Sequence, residues 1–157
     1  MAKDMGSGRQ MRVLAVSSSG GHWEQLMLLR ESFSDCDVQY AATLAGLGER
    51  SGVGSTHIVP DFNATKPWKT LTSLLAVAKV VRDARPGVVV STGAAPGLVA
   101  LIVGKLVGAK TIWIDSVANV ERLSLSGRLA GRIADLWLTQ WSHLARPKGP
   151  IYYGAVL

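Results

Sequence analysis

At 157 residues, 48% of them hydrophobic, the chain is long enough for one packed domain and too short for two of ordinary size. A formal net charge of +6 and a pI near 9.8 favour an anionic partner, such as nucleic acid, an anionic membrane surface or a phosphorylated substrate. No Lys/Arg block, zinc-finger spacing or aromatic-basic strand pattern supports nucleic acid, and Cys36, the single cysteine, excludes an internal disulfide and a thiol zinc cluster and fits a reducing, cytoplasmic setting.

Residues 1–10 carry Lys3, Asp4, Gly6, Gly8 and Arg9 and no apolar h-region, so they read as a disordered tail rather than a secretory signal. Residues 11–157 read as a single domain. Strand 12–17 (RVLAVS) opens it, followed by a helix over 22–33 with Leu26, Leu28 and Leu29 on its inner face. A second strand is expected over 37–44, a glycine-rich, mobile loop over 45–56, and a short third strand over 57–59. Helix 66–82 has Pro67 in its first turn and Leu71, Leu74, Leu75, Ala78 and Val81 at helical spacing. Strand 87–91 (GVVVS) is apolar enough to be covered on both faces. Helix 95–107, strand 110–114, helix 126–134 and strand 136–139 complete an alternation that predicts an α/β, Rossmann-like parallel sheet with helices on both faces. The most apolar stretch, 97–114, is interrupted by Lys105 and Lys110, too soon for the roughly 20 apolar residues that cross a bilayer. Residues 151–157 form an apolar segment that reads as a docking surface.

Three polar loops leave carboxyl ends of strands, where open α/β sheets bind ligands. The first, Ser17-Ser18-Ser19-Gly20-Gly21-His22, either makes a tight turn or lets the backbone approach an anion such as pyrophosphate at a helix start. It has neither the dinucleotide fingerprint nor the P-loop pattern. In the second, 91–97, the Ser91 and Thr92 hydroxyls beside Gly93 either contact a sugar or phosphate or cap a helix. In the third, Asp115 either takes a proton from a sugar hydroxyl or caps a turn, with Ser116 and Asn119 beside it. His22 is either a general base or a bystander at a helix start. Glu24 is either an acceptor contact or a first-turn carboxylate favoured by the helix dipole. Lys66, Trp68 and Lys69, and the basic residues Arg122, Arg128 and Arg132 among Leu123, Leu125, Leu129 and Ile133, suit either anionic lipid or an ordinary solvated helix face. No histidine pair has metal-ligand spacing, so no metal site is expected.

The blocks SSGGHWEQL at 18–26, STGAAPG at 91–97, TIWIDSVANVERLSLSG at 111–127 and ADLWLTQW at 134–141 together resemble PssD-type bacterial exopolysaccharide glycosyltransferase subunits. These are similar to the membrane-recruiting subunit of the eukaryotic dolichol-linked N-acetylglucosaminyltransferase, and the resemblance runs from 11 to 157. It implies the amino-terminal, acceptor-binding half of a split GT-B enzyme that inverts configuration and works only with a PssE-like partner. That partner would hold the nucleotide sugar, a UDP-sugar, so no cofactor is expected on this chain. A polyprenyl-pyrophosphate-linked acceptor would lie on Ser19, Gly20, Gly21, Glu24, Thr92, Gly93, Ser116 and Asn119, with His22 or Asp115 as base. Tyr152, Tyr153 and Leu157 would hold the partner. The amino-terminal anchor of the eukaryotic relatives is expected to be absent, making attachment to the inner face of the cytoplasmic membrane peripheral, either direct or through the partner. Those relatives also carry Glu and Arg where this chain has Asp115 and Asn119. The alternative implied is a noncatalytic scaffold that recruits a self-sufficient transferase; an unrelated nucleotide-binding α/β protein is the further rival.

Overall fold

The structure is a computed structural model that describes residues 10–62 and 67–156. Six strands, β1 (Arg12–Val16), β2 (Asp37–Ala42), β3 (His57–Ile58), β4 (Val88–Ser91), β5 (Lys110–Ile114) and β6 (Leu136–Leu138), form one parallel sheet in the order β3-β2-β1-β4-β5-β6. The expected Rossmann-like α/β architecture is therefore present. Strand order reverses between β1 and β4, the switch point at which ligands of open sheets bind. Val16 lies level with both Ala41 and Ser91, and Ser91 with Trp113, so the loops after β1, β4 and β5 leave one rim.

The helices are α1 (Gly21–Leu28), α2 (Leu47–Arg50), α3 (Pro67–Ala84), α4 (Ala94–Leu106) and α5 (Leu125–Ala130). Helices α3, α4 and α5 supply Val77, Val81, Ala84, Ala100, Leu101 and Ala130 to the larger core, against Leu14, Val16, Val89 and Trp113. Crossovers moving in the opposite direction put α1 on the other face, where Trp23 and Leu26 meet Ala15, Tyr40 and Ala42. Glycine at 104 lets α4 lie close on β4, since a Cβ there would stand 2.6 Å from Val89 Cγ2. At the opposite rim Asp135 ties three elements: it accepts from Lys105 Nζ (2.7 Å), Thr111 N (2.9 Å) and Thr111 Oγ1 (3.0 Å). The Lys105 ammonium, then the Thr111 donors, lower its pKa to about 2.

Three expectations differ. The helix expected over 22–33 stops at Leu28 and continues as a 3₁₀ turn, Arg30–Phe33; Leu28 is exposed, and Trp23 takes the inward place. The glycine-rich loop contains α2, started by Gly46 in the left-handed region. In α3 the inward stripe is Ser73, Val77, Val81 and Ala84, while Leu71, Leu74 and Leu75 face outwards. Residues 151–156 are joined to β6, with Ile151 N donating to Trp137 O and Thr139 N to Ile151 O, both at 2.9 Å. The disordered tail expected at 1–10 lies outside the described residues except for its last member.

Candidate functional site: two helix starts on one rim

Helix α1 begins at Gly20, whose φ of 77° is the left-handed region that glycine enters without steric cost. Glu24 N–H closes the first turn on Gly20 O at 3.1 Å, so the N–H groups ahead of it have no intrahelical partner. No side chain caps them. A Cβ at Gly20 or Gly21 would meet nothing within 4 Å, so this helix start opens onto free space. Ser19 is exposed beside it, its N–H held by Thr43 Oγ1 at 2.9 Å. At the end of β1, Ser17 Oγ is fully buried with no hydrogen-bond partner.

Helix α4 starts alongside. Gly93 is its N-cap residue, again without a side-chain cap. Reciprocal bonds join the two starts: Thr92 Oγ1 donates to His22 O (2.7 Å), and His22 Nδ1 lies 3.0 Å from Thr92 O. A carbonyl oxygen only accepts, so Nδ1 carries a proton, and the neutral tautomer that this bond selects has its lone pair on Nε2. A Cβ at Gly93 would collide with the imidazole, which is why that position excludes any larger residue. Two helix macrodipoles thus present their positive ends on one stretch of rim, an arrangement that favours an anion.

The third loop has a different character. Asp115 is 1% exposed and its carboxylate accepts from Trp113 Nε1 (3.1 Å), Ser124 Oγ (2.7 Å), Asn119 Nδ2 (3.1 Å) and Ser124 N (3.2 Å). Both Asp115 oxygens are thus engaged within the protein, and the carboxylate holds its own loop together. Ser116, also buried, accepts from Gln25 Nε2 (3.0 Å) and Ala118 N (3.2 Å). Thr92 is fully buried with its hydroxyl spent on His22. Ser116 and Thr92 thus bond within the protein through their hydroxyls, and Asn119 uses its amide NH₂ on Asp115. Glu24 is exposed and lines a shallow groove on the outer side of α1 with Met27, Leu28 and Arg30. The three loops leave one rim, where His22 Nε2, exposed Ser19, the helix start at Gly20 and Gly21 and the exposed Glu24 carboxylate lie open.

Sequence reasoning missed Gln25 and Gln140. Both are buried and bonded to each other, with Gln140 Nε2 donating to Gln25 Oε1 at 2.7 Å, and polar residues in two apolar-looking elements were the only available signal. Arg128 and Arg132 are exposed on and just after α5, beside exposed Leu125 and Leu129, and Lys69 is exposed on α3. Tyr152 and Tyr153 are exposed, the latter at 80%. Lys66, Leu157 and the side chain of Trp68 lie outside the described residues. Among the described residues no group of His, Cys, Asp and Glu is placed to hold a metal, and no helix is long and apolar enough to cross a membrane.

Residues 56–156 match the family described as "Oligosaccharide biosynthesis protein Alg14 like". The chain is 35% identical over 95 residues to the UDP-N-acetylglucosamine transferase subunit ALG14 of Candida albicans, a match covering 56% of this chain and 43% of that protein. It is 30% identical over 153 residues to the ALG14 subunit of Yarrowia lipolytica, covering 90% of this chain and 66% of that one. Among solved structures, MurG of Acinetobacter baumannii superposes with a TM-score of 0.76 over 94% of this chain and 46% of that one, at 12% identity. That likeness carries the fold alone, and in both MurG and the Candida relative the match spans less than half of the longer protein. With the family match extending over more than half of its length, the chain belongs to the Alg14-like family of oligosaccharide biosynthesis proteins.

Proposed function

We propose that this chain is the acceptor-presenting subunit of a two-chain glycosyltransferase in bacterial exopolysaccharide or capsule synthesis, and that it recruits its catalytic partner to the inner face of the cytoplasmic membrane. The partner, a PssE-like chain, holds the nucleotide sugar, a UDP-sugar. The observation that carries this reading is the pair of uncapped helix starts joined by His22 and Thr92, which suits the pyrophosphate of a polyprenyl-linked saccharide. Kinship with proteins named as transferase subunits and the burial of Asp115 favour presentation and recruitment over chemistry on this chain. Membrane contact is assigned to Lys66, Trp68 and Lys69 with the outward leucines of α3, and to Arg128 and Arg132 on α5, where basic and apolar groups meet. Partner contact is assigned to Tyr152, Tyr153 and Leu157.

One observation favours a second reading, in which His22 takes part in the reaction. With Nδ1 held by Thr92 O, Nε2 is free to accept the acceptor's hydroxyl proton. The hydroxyl oxygen then bonds to the anomeric carbon, the bond to the diphosphate breaks, and configuration inverts. The test is transfer of sugar from a UDP-sugar to a polyprenyl-pyrophosphoryl acceptor by the two chains together, by this chain alone, and by the complex carrying His22→Gln. Presentation without catalysis predicts no transfer by this chain alone and activity of His22→Gln within a few-fold of the parent. A loss of about a hundredfold or more with the complex intact assigns the base to His22, and robust transfer by the lone chain overturns both readings.

A further inference from the structure

Residues 151–156 are held at one end by the Ile151 bridge to β6 and at the other by Val156 N–H, which donates to Gln140 Oε1 at 3.0 Å. Residues 151–155 are exposed. Gln140, only 4% exposed, donates through Nε2 to Gln25 Oε1 (2.7 Å) and to Asp115 O (3.0 Å). Gln25, 5% exposed on α1, also accepts from Val117 N (3.0 Å) and donates through Nε2 to Gly21 O (3.1 Å) and Ser116 Oγ (3.0 Å).

The polarity of this row is fixed. Turning the Gln140 amide over would set its oxygen against Gln25 Oε1 and Asp115 O, and its NH₂ against the Val156 N–H. Turning Gln25 over would set its oxygen against Gly21 O and its NH₂ against Val117 N–H. Each side chain therefore has one orientation, and the donors run head to tail from Val156, through Gln140 and Gln25, to the carbonyl of Gly21. Aligned amides in a low-dielectric interior polarise one another, so weakening one end loosens the rest.

We propose that Gln140 and Gln25 are positioning residues that couple the seating of residues 151–156 to the geometry of the glycine loop at the start of α1. This rests on the reading above, in which a partner docks on 151–156 and the loop holds a pyrophosphate. A partner that pins Val156 fixes Gln140, then Gln25, then the first turn of α1 and the direction of its free N–H groups. By thermodynamic reciprocity, an anion in the loop raises affinity for the partner by the same factor. The two glutamines thus make acceptor binding and subunit assembly parts of one event.

Val156→Pro tests this on the full chain, because it removes the N–H that donates to Gln140 from a half-buried residue; Val156→Ala, which keeps the N–H and loses side-chain packing, is the control. In Val156→Pro the side-chain NH₂ resonances of Gln140 and Gln25 and the amide resonances of Gly21 and His22 are expected to shift. Affinity for inorganic pyrophosphate, measured by calorimetry, is expected to fall about fivefold. In a Gln140→Ala background the proline is expected to add no further loss, the non-additivity that identifies a shared route. Resonances of Gln25 and Gly21 that stay put in Val156→Pro, or losses that simply add, overturn the coupling. Should the parent protein bind no pyrophosphate, the acceptor-site reading fails by itself, and the resonance shifts still decide whether the row transmits.

Discussion

The loops after β1 and β5 leave the same rim and carry similarly polar sequences, yet they use their polar groups in opposite ways. The 115–124 loop turns inwards: Asp115 draws Trp113, Asn119 and Ser124 onto one buried carboxylate. The 17–22 loop turns outwards: Gly20 and Gly21 leave the first N–H groups of α1 uncapped and open to solvent. A polar side chain at a strand end is as ready to hold its own loop as to hold a ligand, whereas a bare glycine at a helix start has nothing of its own with which to satisfy the backbone. At this rim the glycines leave backbone polar groups open, whereas the carboxylate does not.

The sharpest way to break that contrast is Asp115→Ala. It leaves four donors facing a cavity, and a loss of about 3 kcal/mol or more is expected, read as a fall in the urea midpoint with unchanged slope; a stable variant defective only in sugar transfer would return Asp115 to chemistry. Next in size is Gly93→Ala, which combines a φ of 143° with a clash on the His22 ring. A loss of about 2 kcal/mol is expected, with the imidazole resonances displaced as the histidine leaves Thr92 O. Gly21→Ala separates binding from folding, because its Cβ meets nothing in the protein: stability is expected to stay within about 0.5 kcal/mol, while affinity for inorganic pyrophosphate drops about tenfold as the methyl group enters the anion's space. An unchanged affinity would move the ligand away from this loop.

The smallest effect concerns the far rim and serves as a control. Asp135 has a folded pKa of about 2 against an ordinary 3.8, so its contribution is complete above about pH 4 and is lost as pH falls towards 2. Lys105→Met is expected to flatten that acid limb in pH-dependent unfolding and leave pyrophosphate affinity at pH 7 unchanged. A change in affinity would mean that the two rims are not independent.

Much of the fold is legible from pattern alone. Val88, Val89 and Val90 form a run that belongs in a doubly covered strand, and the alternation of such runs with helical stretches yields six strands within a few residues of their observed bounds. Which side of α3 faces inwards is not legible, because that helix carries two apolar stripes. Leu71, Leu74 and Leu75 compete with Val77, Val81 and Ala84, and Ser73 completes the buried stripe by donating to the backbone carbonyls of Lys69 (2.9 Å) and Asp61 (3.3 Å). Periodicity measures the spacing of a stripe and is silent on what lies opposite. Within the candidate site, the loops are visible as glycine and hydroxyl clusters. The pairing of His22 with Thr92, 70 residues apart, and of Gln25 with Gln140, 115 apart, arises only when the sheet brings distant loops together, and no local propensity encodes it.

Ser124 serves two masters. Its hydroxyl donates to Asp115 and accepts from Gly127 N at 2.8 Å, capping α5, and the absence of a side chain at 127 lets that helix rest directly on the carboxylate. The rim strand's loop and the short helix behind it therefore shift together, like a key and its bow. Exposed Leu125, Arg128 and Leu129 thus sit on a helix tied through Ser124 to a loop that leaves the same rim as the starts of α1 and α4.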